Sequence, residues 1–303
     1  MVDIGDLSMM NTPEKDFSKE NVCSLCGSVN IFEWKRAEKK ILYKCKSCSF
    51  VFIPRSAYVN ANLTAQYEKN QTSPVAYYEA STSVDEENFD RTLEKVEKYQ
   101  SPSKILDIGS SVGTFLDRAR KRGWHGYGIE PNPAAVAIAR GKGLLVEQGY
   151  FDDRFCSEFN LRYPRVSLDV IHMGDVIEHV FDPLHMIKLA YNLLRPEGYL
   201  VVVTPNIDNY FAKKFQIKPQ EHLVYFNRSS MRYLLEKCNF NVLTITQQSR
   251  LRNLSSIRIG TTKLDCISSL FAKIASVSWL GGILNRLACW FIKDELFVIA
   301  KKG

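Results

Sequence analysis

The run Lys104-Ile105-Leu106-Asp107-Ile108-Gly109-Ser110-Ser111-Val112-Gly113-Thr114-Phe115-Leu116, followed by Tyr127-Gly128-Ile129-Glu130, constrains the fold of this chain more than any other segment. A short apolar strand carrying an aspartate meets a glycine turn, an amphipathic segment begins at Gly113, and a second strand ends in the carboxylate of Glu130. This is the layout of a nucleotide-binding βαβ unit, in which glycines let the backbone approach a ligand and the distal carboxylate accepts from ribose hydroxyls. A dinucleotide fingerprint requires Gly-x-Gly-x-x-Gly, and Ser111 and Thr114 occupy its second and third glycine positions. Close approach to a pyrophosphate is therefore not supported. No Gly-x-x-x-x-Gly-Lys-Ser/Thr loop occurs, which excludes the phosphate cradle of that type.

The alternation continues downstream. Ile105 to Ile108 reads as a buried strand, Gly113 to Lys121 as a helix stopped by Gly123, and His125 to Glu130 as a second strand. Asn132 is placed to cap a helix over Pro133–Arg140, which Gly141 and Gly143 end. Further strands are expected at Leu144–Val146, Leu168–Met173 and Tyr199–Val203, with a helix from Asp182-Pro183 to Leu194 broken by Arg195-Pro196-Glu197-Gly198. Strands alternating with helices predict a parallel sheet covered on both faces, with ligands beyond the carboxyl ends of its strands. Asp107–Gly113, Glu130, Tyr150-Phe151 and Gly174-Asp175 would converge there.

The residual pattern Asp-x-Gly-x-x-x-Gly with a distal Glu resembles the cofactor motifs of class I S-adenosylmethionine (SAM) methyltransferases. The runs Leu168-Asp169-Val170-Ile171, Asp175-Val176-Ile177-Glu178-His179-Val180-Phe181-Asp182-Pro183, Leu193-Leu194-Arg195-Pro196-Glu197-Gly198-Tyr199-Leu200, Thr204-Pro205-Asn206 and Glu221-His222-Leu223-Val224-Tyr225-Phe226 extend the resemblance over roughly residues 100–245. It reaches ubiquinone-pathway O-methyltransferases over the catalytic domain. It implies a Rossmann-like, seven-stranded α/β sheet with helices on both faces, and SAM as co-substrate. Asp107 and the turn Gly109, Ser110, Ser111 and Gly113 would hold the methionyl part, and Glu130 the ribose. Tyr150 or Phe151 would lie against adenine, and Met173 and Gly174 would line the sulfonium. Ser111, Glu197 and Asn239 depart from the family's usual glycines.

Cys23-Ser24-Leu25-Cys26-Gly27, then Cys45-Lys46-Ser47-Cys48, has the spacing of a four-thiolate zinc ribbon, with hairpin strands expected at Ile31–Trp34 and Lys40–Lys44. A module this small has little core, so one structural zinc would supply much of its folding free energy, on the order of 10 kcal/mol. Chance spacing, or a ribbon that has lost its metal, would leave the same pattern. The other four cysteines, Cys156, Cys238, Cys266 and Cys289, are scattered among apolar neighbours. This usage points to a reducing, cytoplasmic setting rather than a disulfide framework. A ribbon ahead of this catalytic domain resembles a bacterial subgroup associated with polysaccharide and other surface-glycan biosynthesis.

The domain reading is a flexible N-terminus over 1–20, a zinc ribbon over 21–56, a linker and leading helix over 57–103, a SAM-binding core over 104–250, a hydrophobic helical insert over 251–293, and a final strand over 294–303. Phe89, Leu93, Val96 and Tyr99 share one face of the leading helix. The insert could serve as lid, homodimer contact or, through 264–292, a peripheral membrane contact. Neither a signal peptide nor an uninterrupted apolar span is present in the sequence given.

If the acceptor is a hydroxyl, a base must take its proton, and histidine suits neutral pH. His222 and His179 follow strands on the ligand side and are the candidates; His125, His172 and His185 lie within strand or helix patterns and read as structural. From Asn206 onward there are 15 basic against 6 acidic residues, which suits an anionic acceptor such as a nucleotide-sugar, a phospholipid head group or RNA, and equally a solvated basic surface. The expected acceptor is a small molecule or glycan, a sugar or related polar compound, nucleotide- or lipid-linked. Two alternatives remain: an RNA base methyltransferase that grips RNA with its ribbon, and a non-catalytic protein that keeps the SAM fold for binding. The chain lacks an Asn-Pro-Pro-Tyr-type motif and a long basic arm, which weighs against RNA.

Overall fold

The computed structural model describes residues 22–58, 74–163, 167–251 and 293–303. Three strands come first: β1 (Ile31–Ala37), β2 (Lys40–Cys45) and β3 (Val51–Phe52), paired antiparallel in that order. After helix α1 (Pro74–Val96), strand β4 (Lys104–Ile108) begins an alternating series with α2 (Thr114–Lys121), β5 (His125–Glu130), α3 (Pro133–Gly141), β6 (Leu145–Gln148), α4 (Asp153–Arg162), β7 (Leu168–Gly174), α5 (Pro183–Leu193) and β8 (Leu194–Pro205). A short helix α6 (Tyr210–Phe215), strand β9 (Val224–Tyr225), helix α7 (Arg228–Lys237) and strands β10 (Phe240–Gln248) and β11 (Glu295–Lys302) complete the described elements.

The larger sheet has seven strands in the order β10-β11-β8-β7-β4-β5-β6. Strands β4 to β8 are parallel, whereas β11 pairs antiparallel with both β8 and β10. Alternate residues build its two cores, as the two-residue period of a strand requires. Ile105, Val170, Val201 and Val203 face α1 and α2 with Leu93, Val96, Phe115 and Trp124. Leu106, Ile108, Ile171, Met173, Leu200 and Val202 face the opposite layer, with Phe155, Ile187 and Leu234.

Side-chain caps set several helix starts. Asn132 Oδ1 accepts from Ala134 and Ala135 N–H at 2.8 and 3.2 Å, and Asp182 Oδ1 accepts from His185 N–H at 2.8 Å. Asn227 and Ser230 form a reciprocal capping box at α7. The strand expected over 144–146 runs instead over Leu145–Gln148, and the expected strand 199–203 begins at Leu194. Its early start comes from Leu194 pairing with Leu168 before a register shift, with Glu197 in the left-handed region at φ 64°.

The smaller sheet is not confined to the cysteine-bearing segment. Its order is β1-β2-β3-β9, and the fourth strand comes from the region after β8. Leu42, Val51 and Phe52 of its strands, with Leu25 and Phe50 from the adjoining turns, join the same core as Val224, Phe226 and Leu234. The expected role of the hydrophobic insert falls on 252–292, outside the described residues. Among the described residues, no helix is long and apolar enough to cross a membrane.

Candidate functional site

The turn after β4 is stitched to β5: the Gly109 and Ser110 N–H groups both donate to the Ile129 carbonyl, at 2.9 and 3.1 Å. Gly109 and Gly113 adopt φ of 72° and 77°, and Ser111 between them adopts 49°. The glycines also permit close approach. A Cβ on Gly109 would come within 2.6 Å of Val176 Cγ2, and one on Gly113 within 2.4 Å of Leu144 Cδ1. Ser111 carries a left-handed conformation without glycine's freedom, at a cost of about 1–2 kcal/mol.

Glu130 lies at the end of β5, buried beside this turn. Its two carboxylate oxygens accept from Ser111 N–H and Asn132 N–H, each at 2.9 Å. Burial pushes its pKa up, and the two backbone donors oppose that shift. Each oxygen keeps a further acceptor site for a ribose hydroxyl. The hydroxyls of Ser110 and Ser111 are buried without a hydrogen-bond partner. The open acceptor sites on Glu130 beside the glycine turn fit the ribose hydroxyls of SAM.

Gly149 N–H donates to the Glu130 carbonyl at 3.1 Å, bringing the end of β6 beside this carboxylate. Tyr150 is exposed there, whereas Phe151 is buried and packs on Phe155 with ring centroids 5.7 Å apart. Met173 is fully buried, paired with Ile108 and Val202, and Gly174 follows it at the end of β7. The Asp107 carboxylate is turned inward: its Oδ1 lies 2.7 Å from His172 Nδ1, and the imidazole stacks on Phe115 at 4.0 Å. Burial raises the Asp107 pKa and the His172 contact opposes the rise. His172, read as a structural strand residue, is the partner of this aspartate.

Val176, which packs over Gly109, begins a tight turn carrying Glu178 and His179. His179 and His222 meet edge to face with centroids 4.9 Å apart. His179 Nδ1 lies 2.8 Å from the Glu221 carbonyl and His222 Nδ1 lies 2.8 Å from the Gln216 carbonyl. A carbonyl only accepts, so both Nδ1 atoms carry the proton and both Nε2 atoms keep a lone pair. Burial lowers both pKa values, that of His222 to about 4. The pair is therefore neutral near pH 7, with an unprotonated Nε2 on each ring.

Glu178, which the sequence reading passed over, is buried beneath them, and its Oε2 accepts from Thr204 Oγ1 at 2.8 Å. Burial raises its pKa well above the ordinary value. Glu178, His179 and His222 bring ligand atoms within 4.8 Å of one another, a set that a divalent cation could also engage. The placement of Glu178 next to His179 in a run after a strand was the available signal, and the burial that distinguishes it is tertiary. Arg250 was likewise missed. It bonds Asp175 and also Asp85 at 3.1 Å, tying α1 to the end of β7.

The four predicted metal ligands converge. Cys23 and Cys48 sulfurs lie 3.6 Å apart, those of Cys26 and Cys45 3.5 Å apart, and all four within 4.8 Å. A tetrahedral Zn–S bond of about 2.3 Å gives an S···S edge of about 3.8 Å, so the cysteines fit a four-coordinate zinc with no open position. A disulfide would need about 2.05 Å. Gly27 and Ser49, each following the second cysteine of a knuckle, share left-handed φ values of 76° and 62°. The hydrogen bond from Cys48 holds the Cys23 thiol down at about 5, and burial pushes Cys26 up to about 11.

Residues 81–245 match the family model described as a methyltransferase domain. Among curated proteins, the chain is 29% identical over 104 residues to the ubiquinone biosynthesis O-methyltransferase of Bradyrhizobium sp. (strain ORS 278), covering 34% of this chain and 40% of that protein. It is 27% identical over 138 residues to a probable S-adenosylmethionine-dependent methyltransferase of Mycolicibacterium smegmatis, covering 46% and 52%. The chain thus spans about half or less of the length of these relatives. Among solved structures, a SAM-dependent methyltransferase from Archaeoglobus fulgidus aligns with a TM-score of 0.51 at 20% identity, covering 75% of this chain and 99% of that one. One from Thermotoga maritima, described as a possible histamine N-methyltransferase, aligns at 0.52 and 17%, covering 80% and 100%. At such identities the likeness shows the fold alone.

Proposed function

We propose that this chain, which belongs to the methyltransferase-domain family that its residues 81–245 match, transfers a methyl group from SAM to a hydroxyl of a small polar acceptor. The acceptor we propose is a sugar or related compound, nucleotide- or lipid-linked, used in surface-glycan biosynthesis in the reducing setting of the cytoplasm. The observation that carries the hydroxyl reading is the pair of neutral imidazoles, His179 and His222, whose Nδ1 protons are committed to carbonyls. Their Nε2 lone pairs are then free to take the acceptor proton. Val176, three residues before His179, packs over Gly109 of the glycine turn.

Transfer is an in-line displacement: a bond forms between acceptor oxygen and methyl carbon as the bond from that carbon to sulfur breaks. The proton of the acceptor hydroxyl passes to histidine, and S-adenosylhomocysteine leaves. The chain's own tasks are to hold the ribose through Glu130, to keep the reacting groups aligned, and to exclude water. Alignment and proton acceptance each lower the barrier, the latter by about 10²–10⁴ in rate. The four clustered cysteines would hold a structural zinc with no open position for catalysis. The surface-glycan assignment rests on the ribbon preceding the catalytic domain.

The test is incubation with methyl-labelled SAM and fractionated host extract, with and without ribonuclease. Label in small-molecule, glycan or lipid pools is the expected result. Label that ribonuclease destroys would overturn the reading in favour of RNA modification.

A further inference from the structure

The cysteine ribbon and the histidine pair are joined by strand β9, and we propose that the ribbon is a positioning element for His222 and Glu178. Filling the cysteine cluster would then govern acceptor turnover while leaving SAM affinity unchanged. This rests on the reading of His179 and His222 as acceptor-side residues.

The path is continuous and short. Two residues after Cys48, Phe50 is fully buried, with its ring 5.2 Å from that of Phe226 and 5.9 Å from that of Phe52. Val51 pairs with Tyr225 and Phe52 with Val224. Ile53 N–H then donates to the Leu223 carbonyl at 3.0 Å, and Leu223 N–H donates to the Glu178 carbonyl at 2.8 Å. His222 is the residue between this ladder and the 216–221 turn, and that turn is pinned by Tyr58, whose hydroxyl donates to the Pro219 carbonyl at 2.5 Å. A further tie runs from Lys237 Nζ to the Leu25 carbonyl at 2.9 Å. Contacts of the ribbon and of Tyr58, two residues beyond it, therefore bracket the segment that carries His222 on both sides.

Strand β9 has only two residues, and so short a strand has no independent stability. Strand β9 is paired along its length with β3, and its flanks are tied to the catalytic domain by Leu223 N–H to the Glu178 carbonyl and Ile207 N–H to the Phe226 carbonyl, both at 2.8 Å; β3 follows directly on the Cys45–Cys48 knuckle, whose fold the metal would set. The SAM-side groups Asp107, Gly109–Gly113, Glu130 and Met173 belong instead to β4, β5 and β7 at the centre of the parallel sheet. The hydrogen bonds named here that run from residues 25–58 to the catalytic domain fall between residues 219 and 237.

The experiment uses the full chain, zinc-loaded and after chelation, together with Phe50→Leu, which keeps all four cysteines and most of the side-chain volume. Three quantities are read: the Kd for SAM, amide exchange over 221–226, and methyl transfer at a half-saturating dilution of the accepting extract. Chelation is expected to speed exchange over 221–226 and slow transfer at least about tenfold each, with the SAM Kd held within about twofold. Phe50→Leu is expected to retain zinc and move both readouts in the same direction by less. Unchanged exchange over 221–226 with the cysteines empty would overturn the proposal, as would SAM affinity falling in step with transfer. If the wild-type chain transfers no methyl to any fraction, the functional reading fails, and exchange over 221–226 still decides whether the ribbon holds this segment.

Discussion

Gly113→Ala tests the reasoning about the cofactor turn with a single methyl group. Gly113 has φ 77°, and the added Cβ would lie 2.4 Å from Leu144 Cδ1 and 3.1 Å from Ala139 Cβ. The left-handed conformation costs a non-glycine residue about 1–2 kcal/mol. Forcing a methyl into packed neighbours costs about 1–3 kcal/mol more, because buried Leu144 must leave its rotamer. The expected loss is therefore about 2–5 kcal/mol, or a fall in Tm of roughly 5–15 °C. Urea unfolding of the variant measures it, with Gly141→Ala as control, since a Cβ there meets nothing within 4 Å. The control should be neutral or gain a few tenths of a kcal/mol. Leu144→Ala should also cost less in the Gly113→Ala background than in the wild type, because truncation removes the clashing atom. A Gly113→Ala variant within about 0.5 kcal/mol of wild type, or an additive double variant, would refute the close-approach argument.

Other consequences are equally direct. Glu130→Ala removes the carboxylate that accepts from Ser111 and Asn132 N–H and, in this account, from the ribose; the SAM Kd should rise at least tenfold, about 1.4 kcal/mol, by calorimetry. Unchanged affinity would remove Glu130 from the site. Metal analysis of protein purified without chelator should find one zinc per chain, and a metal-free result with all four thiols reduced would sink the ribbon assignment. Arg250→Ala severs ties to Asp85 and Asp175, and amides of α1 should exchange faster. With 31% of the Arg250 side chain exposed, solvent screening holds the stability loss to about 1 kcal/mol.

Local signals in the chain were strong where period and punctuation agreed. Ile105 to Ile108, the glycine turn and Glu130 occupy the positions that their spacing implies, because a parallel strand, a left-handed turn and a capped helix each impose a local residue pattern. Asn132 caps its helix as read, and Asp182, read as a helix start, proves to be the N-cap of its helix. Helix α4 was missed, although Asp152 is its N-cap, because its aromatic residues Phe155 and Phe159 pack in a cluster with Tyr127 and Tyr163 that no short window reveals. The four cysteines came together from spacing alone. What the sequence could not disclose is long-range. Val51 and Tyr225 lie far apart in the chain and pair in one sheet, so the ribbon's edge is closed by a strand two residues long that carries no pattern. Glu178 and Arg250 acquire their meaning from Thr204, Asp175 and Asp85, contacts set by the packing of elements distant in sequence. The inward turn of Asp107 toward His172 likewise depends on β4 and β7 being neighbours.

The most direct test of the account is a double variant, His179→Gln with His222→Gln, assayed for SAM binding and for single-turnover methyl transfer to the accepting fraction. If the histidine pair takes the acceptor proton, the SAM Kd stays unchanged and the transfer rate falls by at least about 100-fold, the contribution expected of a positioned base. Full transfer by that variant would contradict the assignment of the histidine pair to the chemistry.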